Sequence, residues 1–358
     1  MEVPVIQLIN VTTYMHHSMR SKQTDGVSTK SGFIHKSLVI LKLEAIKLTN
    51  LKKNMIVIIL MAVLLIFLNG CSNSRPNPGN EYPKQTTENA ANKETVIMNE
   101  FNHMMQKNDI TAREIIKFMD DNIASVSRQD ASTMIMALEK TQQLRLPKLQ
   151  DEFADYGMIQ KTLTKDYRGA LTDSYINGIQ DKETKDLLLA TKNNGFKIET
   201  AEGFYFPVID YSFYKKYRTN VSPDMAAYIE IMAVESDKTP LKDAALTIGW
   251  EEVLKRASSH EGFLKMYGNS AKADDVKKLL KTYLITALYG ANNTPLFSYE
   301  DKEMVPAAKK AYLESEFNES KGAFSKIMQE YIDVLKKNNY KLTREVDDYR
   351  KQAVENFR

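Results

Sequence analysis

The chain has 358 residues, of which 43% are apolar and 27% charged, and it has a single cysteine. This composition excludes a disulfide-stapled small protein, a collagen-like repeat and a wholly disordered chain. The formal charge is +3, but residues 1–71 carry eight basic and three acidic residues. The remainder holds 41 basic against 43 acidic residues, so no nucleic-acid partner is expected.

A short apolar run lies in the N-terminal part of the chain. Met55–Leu68 comprises 14 apolar residues, fewer than the roughly 20 that a helix needs to cross a bilayer. Lys52 and Lys53 precede the run and the small residue Gly70 follows it, a pattern typical of secretory signals. The sequence therefore predicts an export signal over residues 51–70.

The four residues at the end of this segment, Leu68-Asn69-Gly70-Cys71, resemble the lipobox of bacterial lipoproteins. The apolar residue three places before the cysteine and the adjacent glycine match the motif, whereas Asn69 replaces the small residue usual there. The resemblance implies cleavage after Gly70 and a diacylglycerol thioether on Cys71. Because two acyl chains hold a protein stably at a bilayer, it also implies anchoring to the extracytoplasmic face of the cell membrane.

Fifty residues precede this signal, although a signal peptide is expected to begin a protein. We predict that residues 1–50 are an upstream extension that the natural product lacks. The start is then either Leu51, read as methionine, or Met55. The first alternative retains the two lysines of the signal.

The segment after the cysteine is polar and contains three prolines. It cannot bury enough apolar surface to fold, so residues 71–93 are predicted to form a flexible tether. A tether of this length has a mean reach of about 25 to 28 Å.

From residue 94 to 358 the apolar spacing predicts one mainly α domain, a multi-helix bundle with one small β-hairpin. Thr111 or Asp109 is expected to cap an early helix, and Asp130 to open a third helix that Pro147 kinks or ends. The later helices are predicted over Phe153–Tyr167, Lys182–Lys192, Met225–Val234, Thr239–Ala257, Ser259–Tyr267, Lys272–Tyr289, Pro306–Phe317, Lys321–Lys337 and Thr343–Phe357. Ser222-Pro223 and Thr239-Pro240 are predicted helix starts, because each places a hydroxyl at the cap and proline at the first helical position.

The hairpin is predicted over Phe196–Asp210, where apolar and polar residues alternate on both sides of Ala201-Glu202-Gly203. A join between two subdomains is considered near residues 195–220.

Metal and cofactor sites find no support in the sequence. Only His103 and His260 follow residue 71, no zinc-binding spacing is present, and His260 beside Glu261 is interpreted as the first turn of a helix. Neither a nucleophile elbow nor a glycine-rich nucleotide loop occurs. We therefore predict no metal and no cofactor.

One apolar helix ends in Glu235-Ser236, followed by Pro240, which slightly resembles the catalytic Glu-Ser of lytic transglycosylases. The resemblance implies a wall-glycan lyase or hydrolase in which Glu235 is the general acid and base. The Gly-Leu-Met-Gln segment of that family is replaced here by Ala245–Trp250. The competing interpretation makes Glu235 a solvated or ion-paired helix end.

An aromatic and basic segment offers a different hypothesis. Tyr211, Tyr214 and Tyr217 recur three apart, with Lys215 and Arg218 beside them. On one exposed helical face they would bind a cell-wall polymer through stacking and cation contacts. The alternative is that the rings belong to the core.

The favoured function is a membrane-anchored surface lipoprotein with a non-enzymatic binding or scaffolding role at the cell envelope. Its expected partners are the membrane, through the lipid on Cys71, and a cell-wall polymer or an envelope protein. The alternative is the wall-glycan enzyme that uses Glu235.

Overall fold

The computed structural model describes residues 85–317 and 322–357, with side chains from residue 92 onward. The predicted extension, the signal and Cys71 lie outside these residues. Within them the fold is mainly α, as predicted. No helix in the described part of the chain is both long enough and apolar enough to cross a membrane.

The helices before the first hairpin are α1 (Gln85–Met105), α2 (Ala112–Asn122), a short 3-10 turn (Ile123–Ser125), α3 (Arg128–Asp155), α4 (Gly157–Asp166), α5 (Asp173–Gly178) and α6 (Lys182–Asn193). Local side-chain chemistry sets several of their starts. Thr111 forms a capping box with Glu114 at the start of α2, and Asp181 accepts the backbone N–H of Thr184 at the start of α6.

A hairpin of β1 (Phe196–Ala201) and β2 (Phe204–Ile209) follows, as predicted. The strands pair antiparallel, with Phe196 opposite Ile209 and Ala201 opposite Phe204. The two turn residues, Glu202 and Gly203, have φ angles of 50° and 76°. Positive φ at both positions is the geometry that matches the twist of a two-residue hairpin.

The chain then forms a 3-10 helix (Tyr211–Tyr217) and a second group of elements: α7 (Pro223–Asp237), β3 (Leu241–Lys242), β4 (Ala245–Leu246), α8 (Trp250–Met266), α9 (Ala273–Tyr289), β5 (Gly290–Ala291), β6 (Thr294–Pro295), α10 (Pro306–Glu314), α11 (Ala323–Lys337) and α12 (Arg344–Asn356). The pairs β3–β4 and β5–β6 are two further antiparallel hairpins, whereas only one hairpin was predicted.

Two large groups of buried apolar side chains form most of the interior, and Phe206 and Val208 form a third, small group. The N-terminal core comprises side chains from Ile97 to Ala233 together with Phe263, Val276 and Leu279, and the C-terminal core comprises side chains from Ile248 to Phe357.

Helices α8 and α9 pack against each other and contribute to both cores. Phe263 and Val276 belong to the first core, and Val253 and Leu280 belong to the second. The two cores therefore share α8 and α9, and the join considered near residues 195–220 stays a prediction.

Several predicted helix boundaries were wrong. Helix α3 starts after Ser127, whose hydroxyl accepts the N–H of Asp130, and it continues through Pro147 to Asp155. Leu146 and Leu149 are buried on either side of the proline, so packing preserves the helix where one backbone donor is missing. Phe153 consequently belongs to α3 and not to the next helix.

The predicted helix start at Thr239-Pro240 was also wrong. Pro240 precedes the hairpin β3–β4, and its carbonyl accepts the N–H of Thr247 at 3.0 Å. Asp243 and Ala244 turn the chain with φ angles of 51° and 58°. A hydroxyl followed by proline suits a turn as well as a helix start, and the contacts that follow decide between them.

The helix α1 begins earlier than predicted. It starts at Gln85, so residues 85–93, assigned to the tether, are helical. This stretch contains Ala90, Ala91 and Lys93, which are good helix formers, and it continues into the buried residues Ile97 and Phe101.

Candidate functional site

The centre of the candidate site is α7, which begins at Ser222-Pro223 as predicted. Proline suits the first helical position, where its missing N–H leaves no intrahelical bond unmade. Most of this helix is buried, which the nearly continuous apolar sequence indicated. Lys238 ends the helix in an extended conformation, and Glu235 therefore lies in the last turn.

Glu235 is 1% exposed and lies within a buried polar network formed with α8 and α9. The hydroxyl of Tyr283 donates to the carboxylate, with distances of 2.8 and 2.6 Å to its two oxygens. Nη1 of Arg256 lies 3.5 Å from Oε2 of Glu235 and donates to the carbonyl of Lys238 at 2.8 Å. We call Glu235, Arg256, His260 and Tyr283 the Glu235 network.

His260 is the incompletely bonded member of this network. Its Nε2 lies 3.6 Å from Oε1 of Glu235, and its ring meets the ring of Tyr283 edge-on at 5.0 Å. Its Nδ1 is buried and has no hydrogen-bond partner among the described residues. An unpaired polar atom in a protein interior costs about 1 to 3 kcal/mol, so such an atom calls for a physical explanation.

The electrostatics of the network follow from burial and from the close charges. Burial, together with the adjacent charge of Glu235, raises the pKa of Tyr283 far above its ordinary value. Burial acts to lower the pKa of Arg256, but Tyr283 and the two carboxylates that contact it outweigh this effect, and the pKa is raised. Tyr283 therefore remains a hydrogen-bond donor, and Arg256 remains charged.

An open pocket of about 420 Å³ lies between α7 and α8, beside this network. Its walls are mostly apolar and follow helical spacing, with Ala227, Ile231 and Val234 on α7 and Phe263 and Met266 on α8. Its volume falls in the range of ligand sites, and an apolar pocket with a few polar groups is the usual form of such sites.

The charged residues that line the pocket each have a partner of opposite charge. Glu230 pairs with Arg218 at 2.5 Å, and Lys255 pairs with Glu252 at 3.6 Å. Arg256 contacts both Glu252 and the buried Glu235. The lining charges are thus compensated within the protein.

The structure corrects part of the sequence interpretation of this region. Glu235 is an ion-paired helix end, as one interpretation held, but it is buried instead of solvated. His260 is not in the first turn of a helix, since α8 runs without interruption from Trp250 to Met266. Arg256 and Tyr283 were missed. The polar spacing Glu252, Arg256, His260, four apart on one helix face, was a signal that could have found Arg256, whereas no local signal pointed to Tyr283.

The aromatic segment was predicted to expose Tyr211, Tyr214 and Tyr217 on one helical face. They do share a face, because the 3-10 helix repeats every three residues, but that face points into the N-terminal core. All three rings are at most 3% exposed. The alternative that these rings belong to the core is therefore confirmed, and a stacking surface for a wall polymer is not formed here.

The two basic residues of this segment are exposed but paired. Lys215 lies 3.8 Å from Asp237, and Arg218 bonds Glu230. The hydroxyl of Tyr217 donates to Asp120 at 2.7 Å. The segment thus connects α2 and α7.

A second buried carboxylate, Glu139 of α3, has a complete set of partners. Tyr211 and Tyr228 donate to its Oε1 at 2.7 and 2.6 Å, and Lys272 bonds its Oε2. We call these four residues the Glu139 network. Burial, together with the charge of Glu139, raises the pKa of Tyr211 and of Tyr228 far above the ordinary value for tyrosine.

The described residues contain no group of three or more histidine, cysteine or acidic side chains placed to hold a metal ion. Comparisons with protein-family models, with curated proteins and with solved structures find no match to this chain.

Proposed function

We propose that this protein is a membrane-anchored extracytoplasmic lipoprotein that binds a component of the cell envelope without turning it over. The apolar pocket between α7 and α8 carries the binding part of the proposal. The lipobox-like segment ending in Cys71 carries the anchoring part.

The contacts of Glu235 favour binding over catalysis. A general acid needs access to the oxygen that it protonates, within about 3.2 Å. The carboxylate of Glu235 is 1% exposed, and the hydroxyl of Tyr283 lies within 2.8 Å of both its oxygens. A glycosidic oxygen could reach it only after this arrangement had opened.

The pocket also favours an apolar envelope component over a wall polymer. Sugars are usually held by exposed aromatic faces and polar groups, and the candidate aromatic face is buried. The pocket walls are instead mostly apolar. An amphiphile or an apolar group of an envelope protein suits such walls.

The anchoring part is tested by Cys71→Ser in cells that produce the full chain. The expected result is loss of the lipid-modified form and retention or slow release of an uncleaved precursor. Detergent-phase partitioning and mass measurement check this. A variant that still gains a mass of two acyl chains would contradict the assignment of Cys71.

The binding part is tested with a photoreactive phenylalanine analogue at Met266, which lines the pocket and is 72% exposed. The same analogue at Leu144, 74% exposed and not part of the pocket, is the control. Irradiation of intact cells should give an adduct from position 266 only, identified by mass spectrometry. Equal adducts at both positions, or none, would contradict the proposal.

The enzymatic alternative is separated by incubating the full chain with purified peptidoglycan. We expect no soluble muropeptides. Release that disappears in Glu235→Gln would replace the binding proposal with the wall-glycan enzyme.

A further inference from the structure

We infer that the pocket between α7 and α8 takes a neutral amphiphile: an apolar body carrying one hydrogen-bond donor, a hydroxyl or an amide N–H, that bonds Nδ1 of His260. This inference rests on the proposed function and names the ligand class for the same pocket. Three observations carry it: the Glu235 carboxylate that faces Nε2 of His260, the unpaired Nδ1 of the same ring and the compensated charges of the lining.

The surroundings of His260 decide which of its nitrogens accepts a bond. A carboxylate is an acceptor only, and Oε1 of Glu235 faces Nε2 at 3.6 Å. Of the two neutral tautomers of histidine, the one with its proton on Nε2 suits this carboxylate, and in that tautomer Nδ1 is the acceptor. A ligand that satisfies Nδ1 must therefore donate.

The burial of Nδ1 explains why solvent does not fill this role. His260 is 1% exposed, yet it lines the pocket. Water is excluded from Nδ1, and no described residue bonds it. A donor reaches Nδ1 only when the surrounding side chains move, and burial of an apolar body against Ile231, Phe263 and the flexible Met266 supplies free energy for that movement.

The paired charges that line the pocket favour a neutral head group on the ligand over an ionic one. Glu230, Lys255 and Arg256 are each already paired, so an added anion or cation would have to displace a protein partner. A neutral head group needs no such exchange. The ligand that fits the whole pocket is thus uncharged.

The experiment uses intact cells that produce the full chain and a matched set of photoreactive alkyl probes. The probes share a chain with a diazirine and end in an alcohol, the methyl ether of that alcohol, or a carboxylate. A ten-carbon series enters from solution, and an eighteen-carbon series resides in the bilayer, which separates the two sources of ligand. Labelling of peptides from α7 and α8 is quantified by mass spectrometry.

The alcohol should label these peptides roughly five-fold more than the methyl ether, which accepts but does not donate. In His260→Phe, which keeps a ring without an acceptor, this ratio should fall to about one. Gly262→Leu should abolish labelling by all probes. Gly262 lines the pocket, and a Cβ there meets no atom within 4 Å, so the new side chain fills the pocket without a clash at its base.

The outcomes separate this inference from the proposed function. Equal labelling by alcohol and ether in the unaltered protein overturns the donor requirement while leaving the pocket a binding site. Stronger labelling by the carboxylate overturns the neutral class. Absence of labelling by every probe overturns the inference and removes support for the pocket as well. The comparison of probes in the unaltered chain stands even if His260→Phe fails to fold, and Leu144→Ala serves as the control outside the pocket.

Discussion

Two of the buried carboxylates in the described part of the chain, Glu139 and Glu235, have the same exposure and very different surroundings. Glu139 and Glu235 are each 1% exposed, and both accept hydrogen bonds from buried tyrosines. The Glu139 network lies within the N-terminal core, and its polar side chains all have partners. The Glu235 network lies beside a pocket and leaves Nδ1 of His260 unpaired.

The difference shows that burial of an acid does not by itself indicate a functional site. A closed set of partners is explained by stability and by fixing one packing arrangement. An incomplete set beside an open pocket needs an outside group to complete it. Function at Glu235 is therefore inferred from the unpaired nitrogen and the pocket, and Glu139 needs no such inference.

The largest expected effect on stability comes from Lys272→Met, which removes one member of the Glu139 network. Lys272 supplies the positive charge next to Glu139, and its loss leaves a buried carboxylate without an ionic partner. We expect a loss of about 3 to 5 kcal/mol in the free energy of unfolding, measured by urea titration of the full chain.

The control for this variant is Lys278→Met. Lys278 forms a surface pair with Asp275 at 4.0 Å, and its loss should change stability by less than about 0.5 kcal/mol. Equal effects of the two variants would show that Glu139 does not depend on Lys272.

A similar loss in the free energy of unfolding is expected from Tyr214→Ala, which removes a fully buried ring beside the Glu139 network. Tyr214 stacks on Tyr211 at 5.4 Å, and its hydroxyl donates to Gln142. Truncation of a buried aromatic ring costs about 3 to 5 kcal/mol. The neighbouring change Lys215→Ala should cost less than about 0.5 kcal/mol, because that side chain is 42% exposed.

Thermal unfolding of both variants gives the measurement. A stable Tyr214→Ala protein with weakened binding to a wall polymer would restore the sequence hypothesis that this segment is a recognition surface.

An intermediate effect on stability is expected when one tyrosine hydroxyl is removed from either network, and its size should differ between the two. Tyr283→Phe removes the closest donor to Glu235, leaving Arg256 at 3.5 Å, and should cost about 1 to 3 kcal/mol. Tyr228→Phe leaves Glu139 with Tyr211 and Lys272, so its cost should be smaller, about 1 kcal/mol.

Urea titrations of the two variants under the same conditions test this order. A larger loss for Tyr228→Phe would mean that the Glu139 network is not the better satisfied of the two.

The smallest effect concerns the dependence of stability on pH at the edge of the pocket. Burial acts to raise the pKa of Glu252, but the bond and charge of Arg256 outweigh it and hold the pKa below its ordinary value of 4.5. A carboxyl whose pKa is lowered by folding stabilises the protein at pH values above its pKa in the unfolded chain. This contribution disappears as the pH falls through its pKa in the folded protein.

Glu252→Gln should therefore lower the free energy of unfolding at pH 7 by less than about 1 kcal/mol, since the side chain is 35% exposed. At pH 3 the difference from the unaltered protein should shrink. Unfolding curves at the two pH values measure it, and a difference that grows on acidification would contradict the assigned sign.

Sequence reasoning located the features that depend on neighbouring residues in the chain. The mainly α class, the cap at Thr111, the helix start at Ser222-Pro223 and the hairpin of β1 and β2 follow from backbone chemistry over a few positions. Caps and tight turns are satisfied within one turn of chain, so their residues predict them.

The tertiary structure decided the remaining features, because they depend on which distant side chains meet. Tyr283 lies 48 residues after Glu235, and Tyr228 lies 89 residues after Glu139. Nothing in the local sequence distinguishes the two acids. The same holds for the aromatic segment, where the spacing placed Tyr211, Tyr214 and Tyr217 on one face and only packing against the N-terminal core determined that this face is buried. Local periodicity determines which side chains share a face, whereas the neighbouring elements determine whether that face is covered.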